Sequence, residues 1–288
     1  MTTSPIQNRE DFAQVYNLSD PRPYFRGVSS VDYQMPAVAC DFLLKMAGHL
    51  RTAKGKEVLT VLDFAGGYGI NGALLTHHIS LAEFFAWYDS TPADDSDVQA
   101  ADRAYFSARR RERPDLEVLG LDIAECAMAY AARLKFYGNT FVENLVEQPP
   151  SPRLTAAMER VDVIMETGAL GLTLPMALQR LIEVSGNAAP WVLMTSRPDL
   201  DDGPLIKVLS QLDYVVETCT AEPVAYRKFA SAGERAEVRA KTAALGGNPA
   251  VALKNDYFWV DLLLARPAHV ATCWPLTPYG LRVKKPIA

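Results

Sequence analysis

The hydrophobic and polar residues follow two different patterns along the chain, one before about residue 57 and one after it. Residues 11–54 are mostly helix-forming, with an interruption at the turn-rich stretch 19–23, and the segment after Pro36 is apolar on one face. From residue 57 onward, short apolar runs alternate with helical segments, which predicts strands connected by helices. The sequence therefore predicts an N-terminal helical cap over residues 1–56 and a second unit over residues 57–288.

Seven apolar runs in the second unit have the length of strands. Continuous apolar runs of this kind are typical of strands that helices cover on both faces of a parallel sheet. The runs are residues 58–63, 117–122, 140–145, 161–166, 191–195, 214–218 and 257–264. We expect the last two to form an antiparallel closing hairpin. The predicted fold class is α/β, a doubly wound and mostly parallel sheet of seven strands with an antiparallel final hairpin and an N-terminal helical cap.

A charge-rich stretch before residue 117 breaks the regular alternation. We predict an inserted surface helix and loop there, at about residues 90–115. The stretch carries the run Arg-Arg-Arg-Glu-Arg at residues 109–113. We interpret this run as a solvated helix face or a subunit contact, in preference to an anion site, and a homodimer is left open.

The first predicted strand ends in an acid and continues directly into a glycine-rich loop ahead of a helix. Glycine is needed where a chain turns sharply and where the backbone must touch a ligand. The free N–H groups of the following helix would face that ligand. We therefore predict a ligand-binding loop formed by Asp63, Ala65, Gly66, Gly67 and Gly69. The spacing Gly67-x-Gly69-x-x-Gly72 also satisfies the dinucleotide fingerprint, so an NAD-dependent oxidoreductase is one alternative.

The loop resembles motif I of class I methyltransferases that depend on S-adenosyl-L-methionine (SAM), with Ala65 in place of the usual first glycine. Asp63 favours this resemblance over a dinucleotide site because it would repel a pyrophosphate and tolerate the cationic aminoacyl end of SAM. The helical segment ahead of the loop and the expected antiparallel final strands also favour it. The resemblance covers roughly residues 57–265 and implies SAM as the cofactor.

A second segment, residues 118–124, resembles motif II of the same family and contains Asp122 followed by Ile123. The resemblance implies that Asp122 accepts hydrogen bonds from both ribose hydroxyls of the cofactor, with Ile123 beside it. A carboxylate suits this role because it offers two acceptor oxygens and no competing donor. Asp89 lies nearer to the usual spacing of about 20 residues after the loop. The flanking sequence and the strand count favour Asp122.

Two further predicted strand ends carry polar residues. The family often has a polar side chain against the adenine amino group where Asn144 stands. Glu166 and Thr167 end the fourth predicted strand, which faces the sulfonium in this fold. Glu166 is a candidate general base or partner for a cationic amine, and a structural role is equally compatible with the sequence. The Asn/Asp-Pro-Pro-aromatic motif of base methylases is absent from this strand end.

The segment 23–33 of the predicted cap contains the remaining candidates. Tyr24 and Tyr33 would close over the cofactor and stabilise a sulfonium or ammonium group by cation–π attraction. Arg26 would pair with a carboxylate of SAM or of a substrate. Helix packing by the aromatic residues and a surface position for Arg26 are the alternative. Tyr226 and Arg227 are further candidates from the late strands.

Composition limits the partners and the setting. The net charge of −5 is a poor match for nucleic acid or an anionic membrane. No apolar run approaches the roughly 20 residues that span a bilayer. The four cysteines are far apart and form no C-x-x-C pair, so we predict no metal site and a reducing, cytoplasmic location.

The sequence thus predicts a SAM-dependent methyltransferase that acts on a small molecule, such as a specialised metabolite. An enzyme of the same fold that uses the aminocarboxypropyl arm of SAM and releases methylthioadenosine is the main alternative. A non-catalytic scaffold with the same fold is a further one.

Overall fold

The structure is a computed structural model that describes residues 15–90, 98–169, 174–274 and 282–283. Residues 11–14 of the predicted helical stretch and 91–97 of the predicted insertion lie outside the described residues. Within residues 16–58, the helices ahead of the first strand are α1 (Arg22–Ser30) and α2 (Met35–Lys54), and each has a proline in its first turn. Proline is well suited to a first turn because the N–H that it lacks would have no partner there.

Five strands run parallel and form most of the sheet. They are β1 (Leu59–Phe64), β2 (Leu116–Asp122), β3 (Asn139–Val142), β4 (Val163–Met165) and β5 (Trp191–Ser196). Their order in the sheet is β3-β2-β1-β4-β5, so the winding direction reverses between β1 and β4. Open α/β sheets bind ligands at such a reversal point, outside the carboxyl ends of the strands.

Antiparallel strands complete the sheet. β6 (Tyr214–Thr218) pairs with β8 (Tyr257–Pro267), which lies between β5 and β6. β7 (Val224–Lys228) pairs with the first residues of β8, and β9 (Arg282–Val283) pairs with β6. The predicted fold class is confirmed, and each of the seven predicted strands has a counterpart.

The strand count differs from the prediction, because β7 and β9 bring the described strands to nine. β7 and two helices, α10 (Ala232–Ala244) and α11 (Pro249–Ala252), lie between β6 and β8, so no tight turn joins the closing strands. The sequence of β7 is Val-Ala-Tyr-Arg-Lys, and its outer residues are only partly buried. Such a strand has no continuous apolar run, and only its pairing with β8 defines it.

Helices cover both faces of the sheet, and successive strand residues contribute to opposite faces. In β4, Val163 and Met165 pack into one core cluster and Ile164 into the other. The first cluster also contains Phe25 and Leu43 of the N-terminal helices, so these helices share a core with the sheet. The remaining helices are α3 (Ile70–Thr76), α4 (Leu81–Ser90), α5 (Val98–Ser107), α6 (Glu125–Arg133), α7 (Pro152–Met158), α8 (Leu174–Val184), α9 (Gly203–Gln211) and α12 (Ala268–Cys273).

The predicted insertion contains α5, which packs on α4. The Trp87 ring stacks on Tyr105 at a centroid distance of 3.9 Å, and the Trp87 Nε1 donates to Asp102 Oδ1 at 2.7 Å. Arg109 lies over the Tyr105 ring at 3.6 Å, and Arg113 pairs with Asp115. Among the described residues, no helix is both long enough and apolar enough to cross a membrane. The domain boundary at residue 56 stays a prediction.

Candidate cofactor site

The loop after β1 turns sharply at three residues with left-handed backbone conformations. Ala65 has a φ of 55°, Gly67 of 51° and Gly69 of 86°. A Cβ atom on Gly69 would lie 2.9 Å from Phe136 Cδ2 and 3.0 Å from Ala131 Cβ. Glycine is required at position 69 for both reasons, whereas Ala65 bears the cost of a left-handed conformation with a side chain.

Asp122 joins this loop to the end of β2. It is only 5% exposed, and its Oδ2 accepts a hydrogen bond from the Gly67 N–H at 2.9 Å. Its Oδ1 accepts from the Ala124 N–H at 2.8 Å. Asp89, the rival for the ribose, lies exposed on α4 and accepts from Ser29 Oγ at 2.9 Å. The structure therefore brings Asp122, and not Asp89, to the loop.

A pocket of about 580 Å³ of empty space, part of it open to solvent, lies beside Asp122. Ile123 is 64% exposed, an unusual degree for a large apolar side chain. Asn144 stands across the pocket, and its Oδ1 accepts from the Val146 N–H at 3.1 Å. The pocket thus combines an apolar surface with polar edges. It is lined by Phe64, Ala65, Leu121, Asp122, Ile123, Glu143, Asn144, Leu145, Val146, Ala169 and Ala177.

Asp63 is fully buried and contacts other parts of the chain. Its Oδ1 accepts from Asn71 Nδ2 at 2.8 Å, and its Oδ2 accepts from the Tyr137 hydroxyl at 2.6 Å. Burial raises the pKa of Asp63 to about 7, although both hydrogen bonds oppose this rise. A Cβ atom on Gly66 would lie 2.9 Å from Asp63 Oδ2, so the Asp63 side chain leaves little room for a larger residue at position 66. Its role as a direct cofactor ligand stays a prediction.

Glu166 is fully buried at the end of β4. Its Oε2 accepts from the Thr195 N–H at 3.2 Å, and its Oε1 accepts from the N–H groups of Gly168 and Ala169. Burial raises the pKa of Glu166, and these backbone donors counteract the rise. Through these contacts the Glu166 carboxylate holds the backbone of Gly168 and Ala169, just after β4, in position. Its predicted catalytic role is untested.

Thr167 links the end of β4 to the glycine-rich loop and to the N-terminal region. Its Oγ1 accepts from Asn71 Nδ2 at 2.8 Å, so one side-chain amide bridges Thr167 and Asp63. Its carbonyl oxygen accepts from the Tyr33 hydroxyl. Asn71 was not among the predicted site residues, because an isolated asparagine in a helix gives no local sign of such contacts.

Two tyrosine hydroxyls converge on Gly168, whose φ is 140°. A Cβ on Gly168 would lie 2.9 Å from the Tyr33 hydroxyl oxygen and 2.8 Å from that of Tyr226. The two rings meet edge to face, with centroids 5.4 Å apart. The Gln34 N–H donates to the Tyr226 carbonyl at 2.8 Å, which attaches the α1–α2 connection to β7.

The other candidates of α1 contact different parts of the chain. Tyr24 packs among aromatic rings, with centroid distances of 5.0 Å to Tyr68 and 5.5 Å to Tyr16. Burial raises the pKa of Tyr24, and the neighbouring Asp122 carboxylate adds to the rise. Arg26 contacts α4, because its Nε donates to the Tyr88 carbonyl at 3.1 Å. Its predicted pairing with a carboxylate of the cofactor or substrate remains untested.

Comparisons with known proteins give architectural similarity only. No protein-family model matches the chain, and no curated protein matches its sequence. Among solved structures, magnesium protoporphyrin IX methyltransferase from Synechocystis PCC 6803 with bound SAM is 11% identical, with 79% of each chain covered and a TM-score of 0.40.

The plantazolicin methyltransferase in complex with S-adenosylhomocysteine is 13% identical, with 89% of this chain and 94% of that one covered and a TM-score of 0.43. A Pyrococcus horikoshii protein described as an RNA methyltransferase is 13% identical, with 82% of this chain and 86% of that one covered and a TM-score of 0.39. Similarities this low describe a general likeness of architecture, so the function must be inferred from the contacts of the site itself.

Proposed function

We propose that this chain binds SAM and transfers the methyl group of SAM to a small molecule. The observation that carries the proposal is the 2.9 Å hydrogen bond between the Gly67 N–H and Asp122 Oδ2, which joins the glycine-rich loop to the adjacent strand end. This junction lies at the carboxyl ends of β1 and β2, and β1 is one of the two strands between which the winding direction reverses. Open α/β sheets bind ligands outside the carboxyl ends of their strands, near such a reversal. A carboxylate there suits a ligand with neighbouring hydroxyl groups, such as a ribose.

The residues of the pocket fit an adenosine group. Ile123 presents apolar surface for a flat base, and the Asn144 amide can both donate and accept hydrogen bonds at the edge of that base. At Gly67 and Gly69, backbone lies where a side chain would collide with neighbouring residues.

The charges near the loop favour a cationic ligand over a dinucleotide. Asp122 and Glu166 both lie close enough to Asp63 to raise its pKa. A pyrophosphate at this position would meet the same repulsion, because like charges at short distance disfavour each other. The sulfonium and ammonium groups of SAM carry positive charge and would be attracted. This electrostatic difference supports SAM over NAD.

Bound SAM supplies an electrophilic methyl carbon on a positively charged sulfur, which is open to in-line displacement. The chain contributes mainly by positioning: Asp122 and the loop would hold the ribose, and Tyr33 and Tyr226 would limit the space beyond the end of β4. A strong base is needed only when the acceptor must lose a proton early. We therefore assign no general base.

The acceptor that we propose is a small molecule, because other parts of the chain cover the end of β4. The α1–α2 connection and β7 meet there through the Gln34–Tyr226 hydrogen bond. The net charge of −5 gives no electrostatic advantage for a nucleic acid acceptor. The absence of nucleic acid partners, the cytoplasmic location and a homodimer stay predictions.

Calorimetric titration with SAM, S-adenosylhomocysteine, methylthioadenosine and NAD tests the cofactor. We expect the wild type to bind the first two, and Asp122→Asn to weaken both at least about tenfold, because hydrogen bonds to a charged acceptor contribute about 1.5–3 kcal/mol. Asp89→Asn is the matched control and should bind like the wild type. Binding of NAD alone would contradict the proposal, and methylthioadenosine as the tightest ligand would favour the aminocarboxypropyl alternative.

A second pair of variants tests the pocket. Ile123→Ser should weaken S-adenosylhomocysteine binding severalfold, because it removes apolar surface that the base would cover. Val142→Ser is the control: Val142 is 47% exposed on the neighbouring strand and is not among the residues that line the pocket. Equal effects of the two substitutions would contradict the assignment of the adenine position.

A further inference from the structure

Residues 16–18 contact Asp122 and the glycine-rich loop. The Tyr16 hydroxyl donates to Asp122 Oδ2 at 2.6 Å, the oxygen that also accepts from the Gly67 N–H. A Cβ on Gly67 would lie 2.8 Å from the Tyr16 hydroxyl oxygen, so the phenol also touches the loop. Both lone pairs of Oδ2 are therefore engaged, and one of the donors is a hydroxyl group from a residue 106 positions away in the chain.

Polar contacts of the two residues that follow Tyr16 attach this segment to the same surface. The Leu18 N–H donates to the Tyr68 hydroxyl at 2.6 Å, and that hydroxyl donates to the Leu18 carbonyl at 2.8 Å. The Cys126 N–H donates to Asn17 Oδ1 at 2.7 Å. All of these contacts use side-chain atoms, and none is a strand or helix hydrogen bond. Loss of these particular hydrogen bonds would therefore break no strand or helix hydrogen bond.

The Tyr16 hydroxyl and a ribose hydroxyl are the same kind of hydrogen-bond donor. Burial raises the pKa of Tyr16, and the Asp122 carboxylate adds to the rise, so the phenol keeps its proton at neutral pH and remains a donor. A ribose that used both oxygens of Asp122 would need the acceptor position that this phenol holds. While the Gly67 N–H stays hydrogen-bonded to Asp122 Oδ2, this oxygen can accept from the Tyr16 hydroxyl or from a ribose hydroxyl, but not from both.

We propose that Tyr16 is an intramolecular competitor for the ribose position, so that SAM binding exchanges the Tyr16–Asp122 hydrogen bond for a ribose hydrogen bond and moves residues 16–18 off the loop. This inference rests on the proposed function. Its consequence is thermodynamic: the apparent dissociation constant equals the intrinsic one divided by the fraction of molecules in which Asp122 is accessible. Contacts that hold residues 16–18 in position therefore weaken binding.

The test measures S-adenosylhomocysteine affinity by calorimetry in hydroxyl-deletion variants. Tyr16→Phe keeps the ring and its packing against Tyr24 but removes the bond to Asp122, so we expect about tenfold tighter binding. Tyr68→Phe releases Leu18 and leaves Asp122 untouched, so we expect a smaller increase in affinity.

Tyr88→Phe is the matched control, because it removes a buried hydroxyl that pairs with Tyr130 at 2.6 Å. Its affinity should equal that of the wild type.

The outcomes separate this inference from the proposed function. Unchanged or weaker binding by Tyr16→Phe, with clear binding by the wild type, would overturn the competitor role and leave SAM binding intact. No binding of S-adenosylhomocysteine by any variant would overturn the proposed function and the inference with it. The unfolding midpoint of each variant shows whether it is folded. If Tyr16→Phe does not fold, tighter binding by Tyr68→Phe supports the inference and unchanged binding overturns it.

Discussion

Two regions surround the pocket, and they are held in place by different kinds of contact. The strand-end region comprises residues 63–72 and 122–124, and backbone N–H groups of Gly67 and Ala124 bind Asp122 there. The cover region comprises residues 16–34 and β7, and tyrosine hydroxyls attach it to Asp122 and Thr167. Breaking the first set of contacts requires the loop to change its backbone conformation, whereas a tyrosine hydroxyl can leave its acceptor when the side chain turns. The strand-end region therefore provides a fixed binding surface, and residues 16–18 of the cover region are the part that we propose a ligand displaces.

The largest expected effect concerns the buried acid of the strand-end region. In the folded protein the pKa of Asp63 is about 7, against 3.8 for the same group without burial. The folded state thus binds more protons than the unfolded state between these values. Asp63 then makes the free energy of unfolding fall as pH rises through this window, by about 1.4 kcal/mol for each pH unit.

The asparagine side chain of Asp63→Asn cannot ionise, so this variant lacks the pH-dependent contribution of Asp63 to the free energy of unfolding. We expect the wild-type free energy of unfolding, relative to that of the variant, to decline from pH 4 to pH 7 and to become constant at higher pH. Urea unfolding of both proteins at four pH values in this range measures the difference. A difference that does not change with pH would mean that the Asp63 carboxylate is charged in the folded protein.

The next effect tests the backbone of the strand-end region. Gly69→Ala should lower the free energy of unfolding by about 3 kcal/mol, because a left-handed conformation and overpacking each cost about 1–2 kcal/mol or more. Gly186→Ala is the control, since Gly186 has a φ of 54° but nothing within 4 Å of a Cβ. Gly186→Ala should lower the free energy of unfolding, measured with urea, by only about 1 kcal/mol. Equal losses would show that contacts with Phe136 and Ala131 do not restrict position 69.

The smallest effect is expected in the cover region. Tyr33→Phe removes one neutral hydrogen bond to the Thr167 carbonyl and should lower the free energy of unfolding by about 1 kcal/mol. Its ring contact with Tyr226 remains. The same unfolding measurement gives the value. A loss as large as that of Gly69→Ala would contradict the distinction between a fixed and a displaceable region.

Several features of the fold and the site could be predicted from local sequence. Apolar runs of strand length predicted all seven main strands, and in β4 and β5 burial of every residue accounts for such runs. The acid at the end of β2 and the glycines after β1 were also identified, because their flanking sequences resemble motifs II and I. Parallel pairing of β1 and β2 brings both to one edge of the sheet. By contrast, β7 was missed, because its half-polar sequence has no apolar run and depends on β8 for its partners.

The sequence by itself determined the order of the seven main strands, the sharp turns at Gly67 and Gly69, and the acid at the end of β2. These features depend on residues close together in the chain. Only the tertiary structure decided that Tyr16 reaches Asp122, that Tyr137 reaches Asp63 and that Glu166 binds backbone amides. The physical reason is separation along the chain: Tyr16 and Asp122 are 106 positions apart, and Tyr137 and Asp63 are 74 apart. A tyrosine gives no local sign of which distant carboxylate it will meet, because packing of the whole core sets that contact.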